Sequence, residues 1–239
     1  MSVSAWPLSR LDPLEPAAWP RHAFPGRLIV VDGVDGSGRA TQLDLLETWL
    51  RVDGYGVVRT VWNSSKLVAK TITEARRQQT LTPLTYSILH ATDVAERQEA
   101  EILPALRAGY VVLADRYVFT AFARDIARGV GRDWLYNLYG FALRPDLAIY
   151  LRIGAEASMA RVMGVAGEAS AHEADENAAV RGAIGSFRQF QERVIEEYDK
   201  LVDPFDLLPL DATMPIRTQQ LRMRLWVKTL LEASGGDDE

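Results

Sequence analysis

Gly33, Gly36 and Gly38, interleaved with Asp35 and Ser37 and followed by Arg39, Ala40 and Thr41, form the stretch of this chain best suited to chemistry. The spacing nearly spells GxxxxGK[ST], a phosphate-binding loop. In that pattern glycines let successive backbone N–H groups curl around phosphate oxygens, a lysine adds positive charge and a hydroxyl reaches Mg²⁺. Gly33 and Gly38 occupy the glycine positions, but the cation position carries Arg39 and the hydroxyl position carries Ala40. Arginine keeps the charge while presenting a planar fork instead of a point charge. Alanine offers a metal ion nothing to coordinate.

A second charged stretch, Asp115-Arg116-Tyr117, follows the apolar residues 110–114. An acid at the end of a strand can hold Mg²⁺ directly or through water, and an arginine beside it suits a bidentate grip on a phosphate. Ligands of open parallel sheets bind beyond the carboxyl ends of the strands, so two such motifs, each closing an apolar run, are expected to converge.

The elements that must position them follow from periodicity. Short apolar runs at 28–31, 56–61, 110–114, 146–151 and 206–210 read as strands, and amphipathic stretches between them read as helices. Leu43, Leu45, Leu46, Trp49 and Leu50 give the first helix its apolar face and Gly54 ends it. Ser64 and Ser65 read as capping residues for a helix beginning near Lys66. Thr82-Pro83 opens a further helix that Gly109 stops and that Pro104 should bend or interrupt. Strands alternating with helices imply right-handed βαβ units and a parallel sheet. Residues 1–26, with Pro7, Pro13, Pro16, Pro20 and Pro25, read as an irregular arm whose Trp6 and Trp19 dock on the body or on a second subunit. The remainder, 27–233, reads as one domain, with a mobile loop expected around 164–179, a long helix over about 178–202 and a frayed tail at 234–239.

At 239 residues the chain suits one α/β domain with its own core. A net charge of −5 leaves no basic field for long nucleic acid, whereas a local pocket for a small anion remains open. Cysteine is absent, which removes disulfides, thiolate catalysis and cysteine metal sites. With no signal-peptide pattern and no apolar run of membrane-spanning length, the expected location is the cytoplasm.

In its order of motifs the chain resembles the thymidylate kinase family of P-loop nucleoside monophosphate kinases. The likeness rests on Asp32-Gly33-Val34-Asp35-Gly36-Ser37-Gly38 with Thr41-Gln42, on Ile102-Leu103-Pro104-Ala105-Leu106 with Gly109, on residues 111–117 and on Arg144-Pro145-Asp146-Leu147. The resemblance implies a three-layer α/β P-loop fold with five parallel strands flanked by helices. It also implies transfer of the γ-phosphoryl of ATP to a nucleoside monophosphate, most directly thymidine monophosphate, by a homodimer using Mg²⁺. Gly33, Asp35, Gly36, Ser37, Gly38, Arg39, Ala40 and Thr41 would then surround the donor phosphates. Arg39 would neutralise the transferring group, Asp115 would support Mg²⁺, and Asp35 and Arg116 would meet the acceptor. With Ala40 in the loop, weakened binding of Mg²⁺-bound ATP is expected rather than lost chemistry, because phosphoryl transfer relies mainly on positioning and electrostatics.

Acceptor recognition departs from the family pattern. The usual arginine-glutamate-proline-glycine turn is replaced by Val61-Trp62-Asn63-Ser64-Ser65. His90 stands where a phenylalanine stacks on the base, Val94 where an arginine touches it, and Arg124 where a tyrosine packs on the sugar. Trp62 is a candidate replacement stacker and Thr120 a candidate hydrogen-bonding group. Glu168, Glu173, Asp175 and Glu176 dominate the loop where bacterial relatives carry arginines, and Arg161 and Arg181 flank it. A different phosphate acceptor, or a degenerate kinase serving as a nucleotide-binding regulatory or scaffold subunit, are the alternative readings.

Overall fold

The computed structural model describes residues 15–78, 81–165 and 184–233. Five strands form one parallel sheet: β1 (Arg27–Asp32), β2 (Val57–Val61), β3 (Val111–Asp115), β4 (Leu147–Arg152) and β5 (Leu208–Asp211), in the spatial order β2-β3-β1-β4-β5. Each strand is a short apolar run because helices cover both faces, the condition under which parallel sheets persist. β1 and β3 are buried along nearly their whole length. Their register sets Val31 opposite Asp115, so the loop after β1 and the Asp115-Arg116 turn emerge side by side. The expected convergence of two charged motifs is thereby met.

β1 extends one residue beyond its apolar run at each end, and β2 to β5 begin one or two residues later than their runs indicate. At β5 the reason is visible: Asp206 adopts φ 54° and belongs to the preceding turn, so pairing begins at Leu208. Helix α1 (Arg39–Val52) follows the glycine loop and buries Leu43, Leu46 and Leu50 against the sheet. Helices α2 (Ala69–Gln78) and α3 (Pro83–Arg97) come next, the second with Thr82 as its cap, accepting from Thr85 N at 3.4 Å. Ser65 accepts from Leu67 N at 3.2 Å, which agrees with its expected capping role, although the regular helix starts only at Ala69.

A single π-helical turn, Gln98–Ile102, separates α3 from α4 (Leu103–Arg107). Pro104 lacks an N–H and its ring crowds the preceding carbonyls, so the wider turn just before it relieves the conflict without ending the helix. Gln98, in that turn, accepts from Tyr117 O–H at 3.0 Å and Leu143 N at 2.8 Å and donates to Phe141 O at 3.1 Å. The interruption thus fastens the residue after Arg116. The fold is completed by α5 (Val118–Ala127), α6 (Arg132–Leu138), α7 (Ala155–Val165), α8 (Ile184–Leu201) and α9 (Ile216–Ala233). No described helix is long and apolar enough to cross a membrane.

Of the arm, residues 15–26 are described. Trp19 is buried, donates from Nε1 to Ala142 O at 2.8 Å and meets Phe119 and Phe205 edge-on, so it docks on the body as expected. Trp6, the centre of the expected mobile loop including Glu168, Glu173, Asp175, Glu176 and Arg181, and the tail at 234–239 lie outside the described residues.

Candidate active site

The floor of the glycine loop is held by Asp32, a buried carboxylate absent from the sequence-level candidates. Asp32 Oδ1 accepts from Gly33 N at 2.8 Å, from Thr120 Oγ1 at 2.6 Å and from Tyr198 O–H at 2.6 Å, and Oδ2 accepts from Tyr117 N at 3.1 Å. One side chain therefore ties the loop after β1, the turn after β3 and helix α8 together. Burial, reinforced by the Asp32 charge, pushes the Tyr198 hydroxyl well above its ordinary range, so it remains a neutral donor. Thr120 is fully buried with its hydroxyl engaged by Asp32 and Tyr198, and the structure places it in the support of the site instead of among ligand-facing groups. A hydroxyl that donates to a buried carboxylate has no second proton to give a substrate.

Above this floor the loop turns tightly. Gly33 has φ 147° and a Cβ there would meet Leu151 O at 2.7 Å, so backbone from β4 excludes any side chain. Ser158 Oγ donates to Asp35 O at 2.7 Å, and Arg161 Nη1 donates to Gly36 O at 3.3 Å, fixing the loop from α7. Gly38 caps α1 in a left-handed conformation, leaving the first-turn amides of that helix, including those of Ala40 and Thr41, at a site that attracts anions. Ala40 and Thr41 are exposed.

Arg39 does not extend outward. Its Nη1 donates to Gly33 O at 2.8 Å, Val34 O at 2.7 Å and Ser37 Oγ at 3.2 Å, while Nε donates to Asp115 Oδ1 at 3.1 Å. A guanidinium so placed fills the inside of the cradle. Burial alone would lower its pKa, but Asp115, Asp35 and Asp32 raise it further and keep the charge. For Asp115, burial opposes ionisation, and Arg39 and Arg116 outweigh it, so the carboxyl titrates below its ordinary range.

Beside the loop, Asp35, Arg116 and Arg124 form a buried charged cluster. Arg116 carries φ 68°, a left-handed backbone that costs a non-glycine residue about 1–3 kcal/mol. That turn swings its side chain to Asp35, and Nη2 pairs with Oδ1. Arg124, one helical stretch later on α5, pairs with Asp35 Oδ2. One carboxylate is thus shared by two buried guanidinium groups. Burial would raise the pKa of Asp35, yet Arg124 and Arg116 hold it far below the carboxylate range. Arg116 Nη1 is buried with no protein partner. An unpaired buried guanidinium N–H is costly, and an incoming phosphate oxygen would satisfy it.

The remaining candidates form an aromatic wall. Trp62 and His90 have ring centroids 5.1 Å apart, and Tyr86 stands 6.1 Å from His90. Two buried residues that the sequence reading did not single out as functional, Asp93 and Arg97, hold this wall. Asp93 accepts from Asn63 N at 3.0 Å, Ser65 N at 2.9 Å and Arg97 Nη1 at 3.1 Å, and Arg97 Nε donates to Thr60 Oγ1 at 2.9 Å. Asn63 has φ 61°, so the chain folds back sharply after Trp62. Val94 is fully buried and makes no polar contribution.

Over residues 31–220 the sequence matches the family model described as "Thymidylate kinase". The chain belongs to the thymidylate kinase family. Similar curated proteins include "Probable thymidylate kinase 2" of Saccharolobus solfataricus, 37% identical over 203 residues that cover 83% of this chain and 94% of that protein. "Probable thymidylate kinase" of Thermococcus gammatolerans is 32% identical, covering 75% of this chain and 85% of that protein. "Thymidylate kinase" of Brachyspira hyodysenteriae is 29% identical, with 76% and 81% covered.

Within this thymidylate kinase fold the expected metal site does not fit the residues present. Magnesium demands near-octahedral oxygen ligation. Here the loop position for a hydroxyl ligand is the methyl of Ala40. Asp115 is already shared between Arg39 and Arg59, whose Nη2 lies 3.5 Å from Oδ2. Among the described residues no group of three or more histidines and acids converges. In this structure the charge of Asp115, the expected metal-supporting acid, is balanced by arginine. Arg59, absent from the sequence-level candidates, also pairs with Asp44 and lies 3.9 Å from Glu47 Oε2 on α1. Nothing in a strand residue's local sequence reveals that its side chain climbs to the next strand's end.

Proposed function

We propose that this chain transfers the γ-phosphoryl of ATP to a nucleoside monophosphate, thymidine monophosphate first among them, forming the diphosphate. The observation that carries the reading is the pairing of Arg116 with Asp35, because Asp35 belongs to the donor loop itself. The cation that meets the acceptor phosphate is thereby a single ion pair away from the cradle for the donor phosphates. Two phosphates held at that separation are set for direct in-line displacement, with no covalent intermediate.

On binding, the acceptor phosphate takes over Arg116 and Arg124 from Asp35, and Arg39 turns from the loop carbonyls to the transferring oxygens. Any magnesium in the reaction arrives on the phosphates of ATP and not on a protein-built site. Homodimeric assembly and a cytoplasmic location belong to the same proposal and rest on family membership. The test is an ADP-release assay with ATP against a panel of nucleoside monophosphates. Turnover highest with thymidine monophosphate is the expected result, and silence across the panel would overturn the reading. His90, Val94 and Arg124 favour one second reading, a different nucleoside monophosphate as preferred acceptor, which the same panel would display.

Two further outcomes are expected. Trp62→Ala removes the wall that faces His90, and about tenfold in acceptor KM should be lost with kcat nearly kept, since base stacking is worth about 1–3 kcal/mol. Unchanged KM would remove Trp62 from acceptor recognition. The pair Arg39→Lys with Ala40→Ser restores both the point charge and the hydroxyl. Nucleotide affinity or turnover should rise about tenfold, because one gained charge-assisted contact is worth roughly 1.5–3 kcal/mol. Equal constants for the variant and the parent would show that these two positions do not limit the enzyme.

A further inference from the structure

Asp115 faces the donor cradle with both oxygens engaged, Oδ1 to Arg39 and Oδ2 to Arg59, and the two guanidinium groups approach it from different elements, α1 and β2. When Arg39 turns toward a nucleotide it must loosen its hold on Asp115. A carboxylate left alone there would both pull Arg39 back and repel the incoming phosphates. Arg59, beside the charge of Arg116, eases that conflict, because it stays on Asp115 after Arg39 departs. Its own position is secured from below by Asp44 and Glu47 of α1, and its Nε is a buried donor with no protein partner.

Ala40 makes this arrangement consequential. With no loop hydroxyl for a metal, the positive charge that the chain itself brings to the donor phosphates comes from Arg39, and Arg59 is the cation left on Asp115.

We propose that Arg59 is a positioning residue of the donor site: it balances the charge of the Asp115 carboxylate, frees Arg39 for the nucleotide, and makes nucleotide binding depend on an arginine-aspartate-arginine relay in place of a protein-held magnesium ion. The proposal rests on the donor half of the function proposed above and is independent of which acceptor is used.

The test is calorimetric titration of the full chain with a non-hydrolysable ATP analogue, the imidodiphosphate, in excess magnesium and in EDTA. For the parent protein the dissociation constant should differ by less than about threefold between the two conditions. Arg59→Gln should weaken binding by about tenfold in both, as expected when one partner of a partly buried charge pair is removed. Arg59→Lys should recover most of that loss, which a merely steric role would not predict. Ala40→Ser, in contrast, should introduce a magnesium dependence of about tenfold, equivalent to 1.4 kcal/mol. Thermal melting of each variant checks folding, and side-chain exposure of 21% at Arg59 makes the glutamine tolerable. Magnesium dependence above tenfold in the parent, or parent-like affinity in Arg59→Gln, would overturn the relay while leaving the kinase reading intact. Absence of any analogue binding by the parent would overturn both.

Discussion

Arg116→Ala is expected to lower kcat/KM for the nucleoside monophosphate by about a thousandfold, near 4 kcal/mol, the scale found when a buried charge-assisted contact to a reacting group is removed. Arg116 is buried beside Asp35 and keeps one N–H without a protein partner, so its binding capacity is reserved for an anion. Its left-handed backbone turn aims it there at a cost that the ordinary packing of the fold does not require. Loss should appear in kcat as well as KM, because the guanidinium orients the acceptor oxygen toward the donor. Arg116→Lys should recover little, since an ammonium cannot supply the planar fork. Asp35 retains Arg124 in either variant, so the melting temperature should change little. Steady-state kinetics beside a melting curve decide the matter. A loss below tenfold would assign the acceptor phosphate to Arg124 alone.

The second large effect is expected at Asp93, far from the reacting groups. Asp93 and Arg97 are both fully buried and paired at 3.1 Å. Asp93→Ala leaves a guanidinium uncompensated in the interior and also strips the acceptor from Asn63 N and Ser65 N. Breaking such a pair costs about 3–5 kcal/mol. For a chain of this size that corresponds to a fall in melting temperature of about 10 °C. The turn bearing Trp62 should loosen with it, raising acceptor KM in the fraction that remains folded. Asp93→Ala combined with Arg97→Leu should regain part of the stability and none of the KM, because the leucine removes the stranded charge but restores no acceptor for the turn. A stability loss under about 1 kcal/mol in the single variant would mean that water enters and solvates Arg97.

These two residues mark the limit of sequence reading here. Arg116 was legible, because an acid-arginine-tyrosine triplet ending an apolar run, at the right distance from a glycine loop, has few other uses. Asp93 and Arg97 look like ordinary polar residues on an amphipathic helix, and their spacing of four suits a surface ion pair. Only the packing of α3 against β2 and the turn after it turns that pair inward. Thr120 was legible only as a group able to hydrogen-bond, and the partner that its hydroxyl has in the fold, Asp32, was not.

By itself, the sequence determined the five strands, the glycine loop, the convergence of loop and triplet, and the altered chemistry at Arg39 and Ala40. Those features depend on local pattern: apolar runs choose the strands, glycines permit the turn, and side-chain identity dictates which groups can carry charge or bind metal. Tertiary structure alone decided where each charge is spent. Asp115 is neutralised from two directions by Arg39 and Arg59, Asp35 is shared by Arg116 and Arg124, and Asp32 gathers three elements beneath the loop. Such partnerships join residues up to 166 positions apart in the chain. Coulomb attraction and hydrogen bonding act over a few ångströms of space, and only folding brings these partners within that reach.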